Sequence, residues 1–376
     1  MNILFIDPNN STAQVNYPLI EELKKIGIKI QYFSSYNRWD SQYYESNYNV
    51  NCRYFYFILA NKIKNQKIRQ IVKGLSYPIN QLFLLFIILF SKVQIIHFNN
   101  ITIPLIDFLF IAIIKFSGRK VIITVHNYIR HNKISDSKIS RTIFSMIDCI
   151  ICLSEFTFNQ FPEKILDKVT LIEHGNCYEK ELNKFMDPDL TPKKKPLRLL
   201  FLGIIRPYKG IENLLKAFSY LSEKTKEKLE IHIVGNVLNK NYLKKLLLLR
   251  DESRHKEQLI IKNKFLDYRE MIQHIQQCHF GILPYVSATQ SGIPYLFISL
   301  KKPLIVTNVG ALPEQIHPYI AEITLPNPEY IAKSIERMIK RIEQNEVEEI
   351  VFEELAQKYS WKNIVSKYVE TYQKLI

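Results

Sequence analysis

Short apolar runs alternate along this chain with longer stretches in which apolar residues recur every three or four positions, a pattern that predicts repeated strand–helix units. Asn2–Ile6 reads as a buried strand broken at Asp7-Pro8-Asn9-Asn10. A helix follows from about Ala13 to Lys25, ended by Gly27, and the run after Gly27 supplies a second strand. Further strands are expected at Val93–Phe98, Lys120–Val125, Met146–Ser154 and Val169–His174, with an apolar helix from Pro104 to Phe116. Asp187 to Pro196 is acidic, proline-bearing and then basic, and reads as an interdomain linker. The alternation restarts at Leu197–Leu202. It continues through strands at Leu229–Val234, Leu259–Phe265, Phe280–Leu283 and Pro303–Thr307, with helices from Ile211 to Leu221, Tyr268 to Cys278 and Pro328 to Gln344. Alternating strands and helices predict parallel sheets covered on both faces, so the expected class is α/β with two such halves.

A chain of 376 residues has room for two cores, and 47% hydrophobic with 23% charged residues is a globular composition. The formal charge is +15, which makes an anion the default partner: nucleic acid, an anionic membrane or a phosphate-bearing substrate. No nucleic-acid-binding module is recognisable. Residues 50–150 hold 14 Lys or Arg against Asp107, Asp136 and Asp148, and the same stretch holds the most apolar runs, which points to a membrane surface. Within it, Asn61 to Leu75 suits a basic amphipathic helix, while Leu82–Phe90 is a nine-residue run too short to cross a bilayer. Met1–Asp7 lacks the basic start and length of a signal peptide. The five cysteines have no framework spacing, and Cys149-Ile-Ile-Cys152 lies in a strand-like run, so all five read as reduced thiols of a cytoplasmic protein.

Candidate chemistry gathers where parallel strands end. In the second half, Ser287–Gly292 is a small polar loop between a strand and the helix expected at Ile293–Leu300. Thr289, Gln290, Ser291 and Gly292 there offer hydroxyls, an amide and open backbone N–H groups to an anion. From Met271 to Pro313 there is no Asp or Glu. Arg206 and Lys209 lie in the loop after the first strand of the same half, and a parallel sheet would open both loops on one edge. Two positive charges beside an anion loop match a diphosphate, Arg gripping oxygens as a fork and Lys acting as a point charge. In the first half His97, His126 and Asn127 end strands and are candidate site residues.

Phe201-Leu-Gly-Ile-Ile-Arg-Pro-Tyr-Lys-Gly-Ile-Glu-Asn-Leu-Leu, Leu283-Pro-Tyr-Val-Ser-Ala-Thr-Gln-Ser-Gly and Pro303 to Glu314 resemble the donor-binding domain of the GT-B glycosyltransferases of family 4. Thr124-Val-His-Asn127, Leu153-Ser154, Ile172-Glu-His-Gly175 and Tyr359-Ser-Trp361 are similar to that family too, so the resemblance covers nearly the whole chain. It implies two Rossmann-like domains facing a central cleft: an acceptor domain over 1–190, a donor domain over 191–358, and a C-terminal helix at 359–376 crossing back to the first. It also implies retaining transfer of a sugar from a UDP- or GDP-sugar to a glycan acceptor without bound metal or cofactor. Arg206 and Lys209 would neutralise the leaving diphosphate, and Ser291 and Gly292 would donate backbone hydrogen bonds to the distal phosphate. Gly203, Gly235, Asn236, Phe265, Leu266 and Glu314 match other donor-side positions, and His126 matches a first-domain histidine near the reacting sugar.

The sequence departs from the family at its Glu-x7-Glu pair, whose positions hold Ala288 and Leu296; Thr289 and Gln290 are the candidates to replace it in sugar contact. The expectation is a cytoplasmic glycosyltransferase, peripheral to the inner face of the cell membrane, that extends a surface polysaccharide on a lipid-linked acceptor. It would bind an anionic membrane and no nucleic acid. The alternative is a glycosyltransferase-like scaffold subunit without catalysis.

Overall fold

The structure, a computed structural model, describes all residues except Ser11, Asn37 and 127–137, and it leaves the side chains of 38–40 undescribed. Contacts divide the chain into two compact units, one of Met1–Gly175 with Trp361–Ile376 and the other of Asn176–Ser360.

The first unit is built on seven parallel strands: β1 (Asn2–Asp7), β2 (Lys29–Ser35), β3 (Cys52–Tyr56), β4 (Ile95–Phe98), β5 (Lys120–Val125), β6 (Cys149–Cys152) and β7 (Val169–Leu171). Their order is β3-β2-β1-β4-β5-β6-β7, so the chain turns back on itself between β1 and β4. The central strands are buried along their length because helices cover both faces. Cys149 and Cys152 fall in the apolar clusters on opposite faces of the sheet, as residues three apart in a strand must. The final helix, Trp361–Gln373, packs beside Ala13–Lys25 in this unit and buries Trp361, Ile364, Tyr368 and Tyr372.

Residues 66–89 depart from expectation. The basic stretch and the apolar run are one helix, Gln66–Leu89, capped by the Asn65 side chain and carrying Gly74 and Pro78 without interruption. By length and composition it could cross a membrane, unlike the nine-residue run it contains. Its inner side packs Tyr77, Leu84 and Ile88 into the core. Tyr77 and Gln81 there donate to the buried Asp107 carboxylate, which also accepts from the Thr102 and Ile103 N–H groups.

The second unit has six parallel strands: β8 (Leu197–Leu202), β9 (Leu229–Gly235), β10 (Leu259–Asn263), β11 (Phe280–Leu283), β12 (Leu304–Thr307) and β13 (Ala321–Thr324), in the order β10-β9-β8-β11-β12-β13. Residues 176–190, expected in the first domain, pack here. Helix Glu179–Phe185 lies on helix Tyr268–Gln276, and Gln276 Nε2 donates to the Asp187 carbonyl at 2.5 Å. The winding reverses between β8 and β11, which opens a crevice beyond the carboxyl ends of those two strands.

Candidate active site

Four loops meet at that crevice: 203–210 after β8, 236–239 after β9, 284–292 after β11 and 308–315 after β12. Gly210 (φ +70°) lies so close to the Pro284 carbonyl that a Cβ would sit 1.8 Å from its oxygen, and Val286 N–H donates to Tyr208 O at 2.9 Å. On the far side Gly310 (φ +55°) is pressed against Ala288 O in the same way, and Ala311 N–H donates to Thr289 O at 3.1 Å. Only glycine combines a left-handed backbone with so close an approach. Toward β9, Ile205 N–H donates to Asn236 O at 3.0 Å, and Lys264 N–H donates to Gly235 O at 3.2 Å.

Gln315 fixes the middle of the 284–292 loop. Its buried amide accepts from Ser291 N–H at 3.1 Å and donates to Ser291 O at 2.8 Å, and so holds both polar groups of one residue's backbone. The Ser291 N–H was expected to be open to a phosphate; it is occupied by this contact instead. Tyr285 OH lies 3.3 Å from Ser291 Oγ, and its carbonyl accepts from Thr307 Oγ1 at 2.6 Å. Helix Ile293–Ser299, which the loop feeds, has only seven residues, so its dipole is a small contribution.

The charge at this edge comes from Arg206 and Lys209. Lys209 Nζ sits 3.6 Å from the Tyr285 ring centroid and 5.3 Å from that of Tyr208, an arrangement that favours an ammonium. Burial, and secondarily the Arg206 charge, work against it and pull Lys209 down to about 7. Elsewhere in the unit basic side chains find carboxylates: Lys226 with Glu223, Lys228 with Glu343, Lys245 with Glu212, Lys301 with Glu353, Arg337 with Glu322. Neither Arg206 nor Lys209 makes an ion pair among the described residues. Two basic side chains without an ion pair among the described residues, beside a carboxylate-free loop, are chemically suited to an anion.

The other sequence-predicted residues distribute as follows. Gly203, Gly235 and Asn236 line the β8 and β9 loops. Phe265 is 69% exposed on the loop after β10, while Leu266 leans on the core. That loop ends at Asp267, whose carboxylate caps helix Tyr268–Gln276 in a capping box with Glu270. Thr289 and Gln290 are half-buried, and Glu314 is exposed, its carbonyl receiving Tyr359 OH at 3.2 Å. Leu296 is 1% exposed and packs in the unit's core.

In the first unit His126 ends β5, half-buried, and burial together with His174 pulls its pKa down to about 3, leaving a neutral imidazole. His97 is a correction. It is fully buried, with Nδ1 2.8 Å from Tyr372 OH and Nε2 2.7 Å from Thr124 Oγ1, so both ring nitrogens are used inside the core and none is left for an acceptor. Asn127 lies outside the described residues. Sequence reasoning missed Gln315 and Tyr285, whose roles come from contacts across the sheet edge; an amide directly after Pro313-Glu314 carried no local signal.

Residues 183–357 match the family described as glycosyl transferases group 1. Residues 183–357 are thus a group 1 glycosyltransferase domain, and the protein is a transferase enzyme. An uncharacterized glycosyltransferase of Methanocaldococcus jannaschii is 25% identical over 292 residues, 72% of either chain. The GDP-mannose:glycolipid 4-beta-D-mannosyltransferase of Xanthomonas campestris is 26% identical over 126 residues, 33% of this chain and 34% of its own. Among solved structures, Anabaena HepE in complex with UDP-glucose superposes with a TM-score of 0.73 at 14% identity, covering both chains completely. That likeness establishes the GT-B fold for this glycosyltransferase: two parallel-sheet α/β domains.

Proposed function

We propose that this glycosyltransferase transfers a sugar, with retention, from a nucleotide diphosphate sugar to a glycan acceptor in surface polysaccharide synthesis. The observation that carries the reading is the unpaired Arg206–Lys209 couple against the 284–292 loop, with Lys209 backed by the Tyr285 ring. In this reading Arg206 forks onto diphosphate oxygens and Lys209 supplies a point charge, so the departing nucleotide is stabilised as its bond to the sugar lengthens. The acceptor hydroxyl then attacks on the face the nucleotide leaves. Thr289 and Gln290, held by Gly310 and Gln315, take the sugar-side position where the family has a glutamate. Gly235, Asn236, Phe265 and Leu266 hold the nucleoside; Gly292 faces the distal phosphate. Neutral His126 serves as hydrogen-bond partner on the acceptor side, not as a cation.

Support for the donor class comes from HepE, whose structure holds UDP-glucose, and from the Xanthomonas relative, named for GDP-mannose and a glycolipid. The glycolipid in that name also supports a lipid-linked acceptor. Incubation with UDP- and GDP-sugars and a lipid-linked glycan, with the product's anomeric configuration read by NMR, tests the whole reading. Transfer with retained configuration, abolished in Arg206→Ala and Lys209→Ala, is the expected result; an inverted product would sink the retaining assignment. A scaffold without catalysis is favoured by Ala288 and Leu296, and nucleotide binding without transfer from any donor would establish it.

A further inference from the structure

The first unit carries an apolar face that the donor site does not use. Helices Gln66–Leu89 and Pro104–Phe116 pack side by side, and both bury their inner stripes in the same apolar cluster on one face of the sheet. Their outer stripes therefore look outward together. On the long helix Ile68, Ile71, Leu75, Ile79, Leu82 and Phe86 recur every three or four residues, each more than half exposed. On its neighbour Leu105, Leu109 and Ile113 continue the surface, and Phe116 stands 96% exposed at the end. Two adjacent helices with outward apolar stripes make a patch far beyond the scattered apolar residues of ordinary surfaces.

Charge around the patch decides what covers it. Lys62, Lys64, Lys67, Arg69, Lys73 and Lys92 border it, and none makes an ion pair among the described residues. From Ser46 to Ser135 the sole carboxylate is Asp107, which is buried beneath the long helix. A second copy docked through the same face would set one ring of cations against another with no carboxylate between them. An anionic lipid surface supplies hydrocarbon for the stripe and phosphate for the ring.

We infer that the outer face of Gln66–Leu89 and Pro104–Phe116 docks on an anionic bilayer, with the long helix lying in the plane of the membrane and not crossing it. The helix is about 36 Å long, enough to span. Its opposite side, however, is committed to the core: Tyr77, Leu84 and Ile88 are buried, and Tyr77 and Gln81 hold the Asp107 carboxylate. Crossing would strip that side from the sheet and carry Lys67, Arg69 and Lys73 toward hydrocarbon. Lying flat keeps the core intact and leaves the lysines among headgroups. The inference concerns the first unit alone and stands apart from the donor-site reading.

The test is flotation of the full-length protein with phosphatidylcholine vesicles, with or without phosphatidylglycerol, at low and high salt. Wild type floats with the phosphatidylglycerol vesicles at low salt, is released by salt and by alkaline carbonate, and runs as a monomer without vesicles. Lys62→Gln and Lys67→Gln each weaken partitioning about fivefold. The L75S/L82S/F86S variant, altered only at exposed positions, loses roughly tenfold or more while its melting temperature holds. Failure of wild type to float, equal flotation of the triple variant, resistance to carbonate, or a dimer that the triple variant dissociates would each overturn the inference. A nucleotide-induced melting shift, recorded on every variant, reads the donor site separately, so loss of either property is distinguishable from loss of the other.

Discussion

Gln315 gives the account a quantitative handle on the donor loop. Replacing it with Ala removes two hydrogen bonds to Ser291, at 3.1 and 2.8 Å, the pair that fixes the Ser291 backbone. Each such bond is worth about 1 kcal/mol net. A half-buried loop recovers part of that from water, so about 1–2 kcal/mol of loop order is lost. If that order positions Thr289, Gln290 and Gly292 for the donor, the dissociation constant rises about 5- to 30-fold. Gln315→Glu should cost more, because a carboxylate still accepts from Ser291 N–H but cannot donate to Ser291 O, and it adds negative charge beside a diphosphate. Isothermal titration of Gln315→Ala and Gln315→Glu with whichever nucleotide sugar binds wild type measures both. A Gln315→Ala affinity within twofold of wild type, or tighter, would refute the reasoning: the amide would then be a bystander or a competitor for the N–H a phosphate wants.

Lys209, held down to about 7, is roughly half protonated at neutral pH, and a bound diphosphate favours its ammonium form. Donor binding should therefore take up a proton and weaken as pH rises above about 7, by up to tenfold per unit. Titrating a nucleotide sugar, whose diphosphate does not itself ionise in this range, checks this; Lys209→Arg, which stays charged, should flatten the profile. Gly210→Ala forces φ +70° on a residue with Cβ 1.8 Å from Pro284 O and should cost more than about 2 kcal/mol in a urea melt. Gly74→Ala, in a helix with nothing within 4 Å, should add about 0.5–1 kcal/mol. In the first unit, Tyr372→Phe leaves the buried His97 Nδ1 unpartnered and should cost about 1–3 kcal/mol. His97 (about 3), His126 (about 3) and His174 all have lowered folded-state pKa values, so the unfolded chain binds more protons below pH 6.5. Stability should be complete above that value and fall as pH drops toward 3, by about 1.4 kcal/mol per pH unit for each histidine titrating.

Much of the second unit was legible because its loops are punctuated by residues with backbone consequences. Gly203, Gly210, Gly235 and Pro284 mark the ends of strands β8, β9 and β11, and the sheet order then brings Arg206, Lys209 and 287–292 to one edge. What was not legible is tertiary. Tyr285 under Lys209 and Gln315 on Ser291 are ordinary residues until the β8, β11 and β12 loops meet. His97 misled for the same reason: a polar residue ending a strand looks like a ligand, but its partner Tyr372 lies 275 residues away on the last helix. The basic stretch Asn61–Leu75 and the apolar run Leu82–Phe90 read as separate segments, although one helix carries an exposed apolar stripe from Ile68 to Phe86 through both. Strand β3 escaped because Cys-Arg-Tyr-Phe-Tyr is an edge strand with a charged residue inside it.

The most direct test of the central claim is titration of wild type and Lys209→Ala with UDP, GDP and their sugar conjugates, followed by calorimetry or melting temperature. Micromolar binding of one nucleotide, lost on substitution of Lys209 while the fold is retained, is the predicted result. Binding that survives in Lys209→Ala, or no nucleotide binding at millimolar concentration, would contradict the diphosphate site itself.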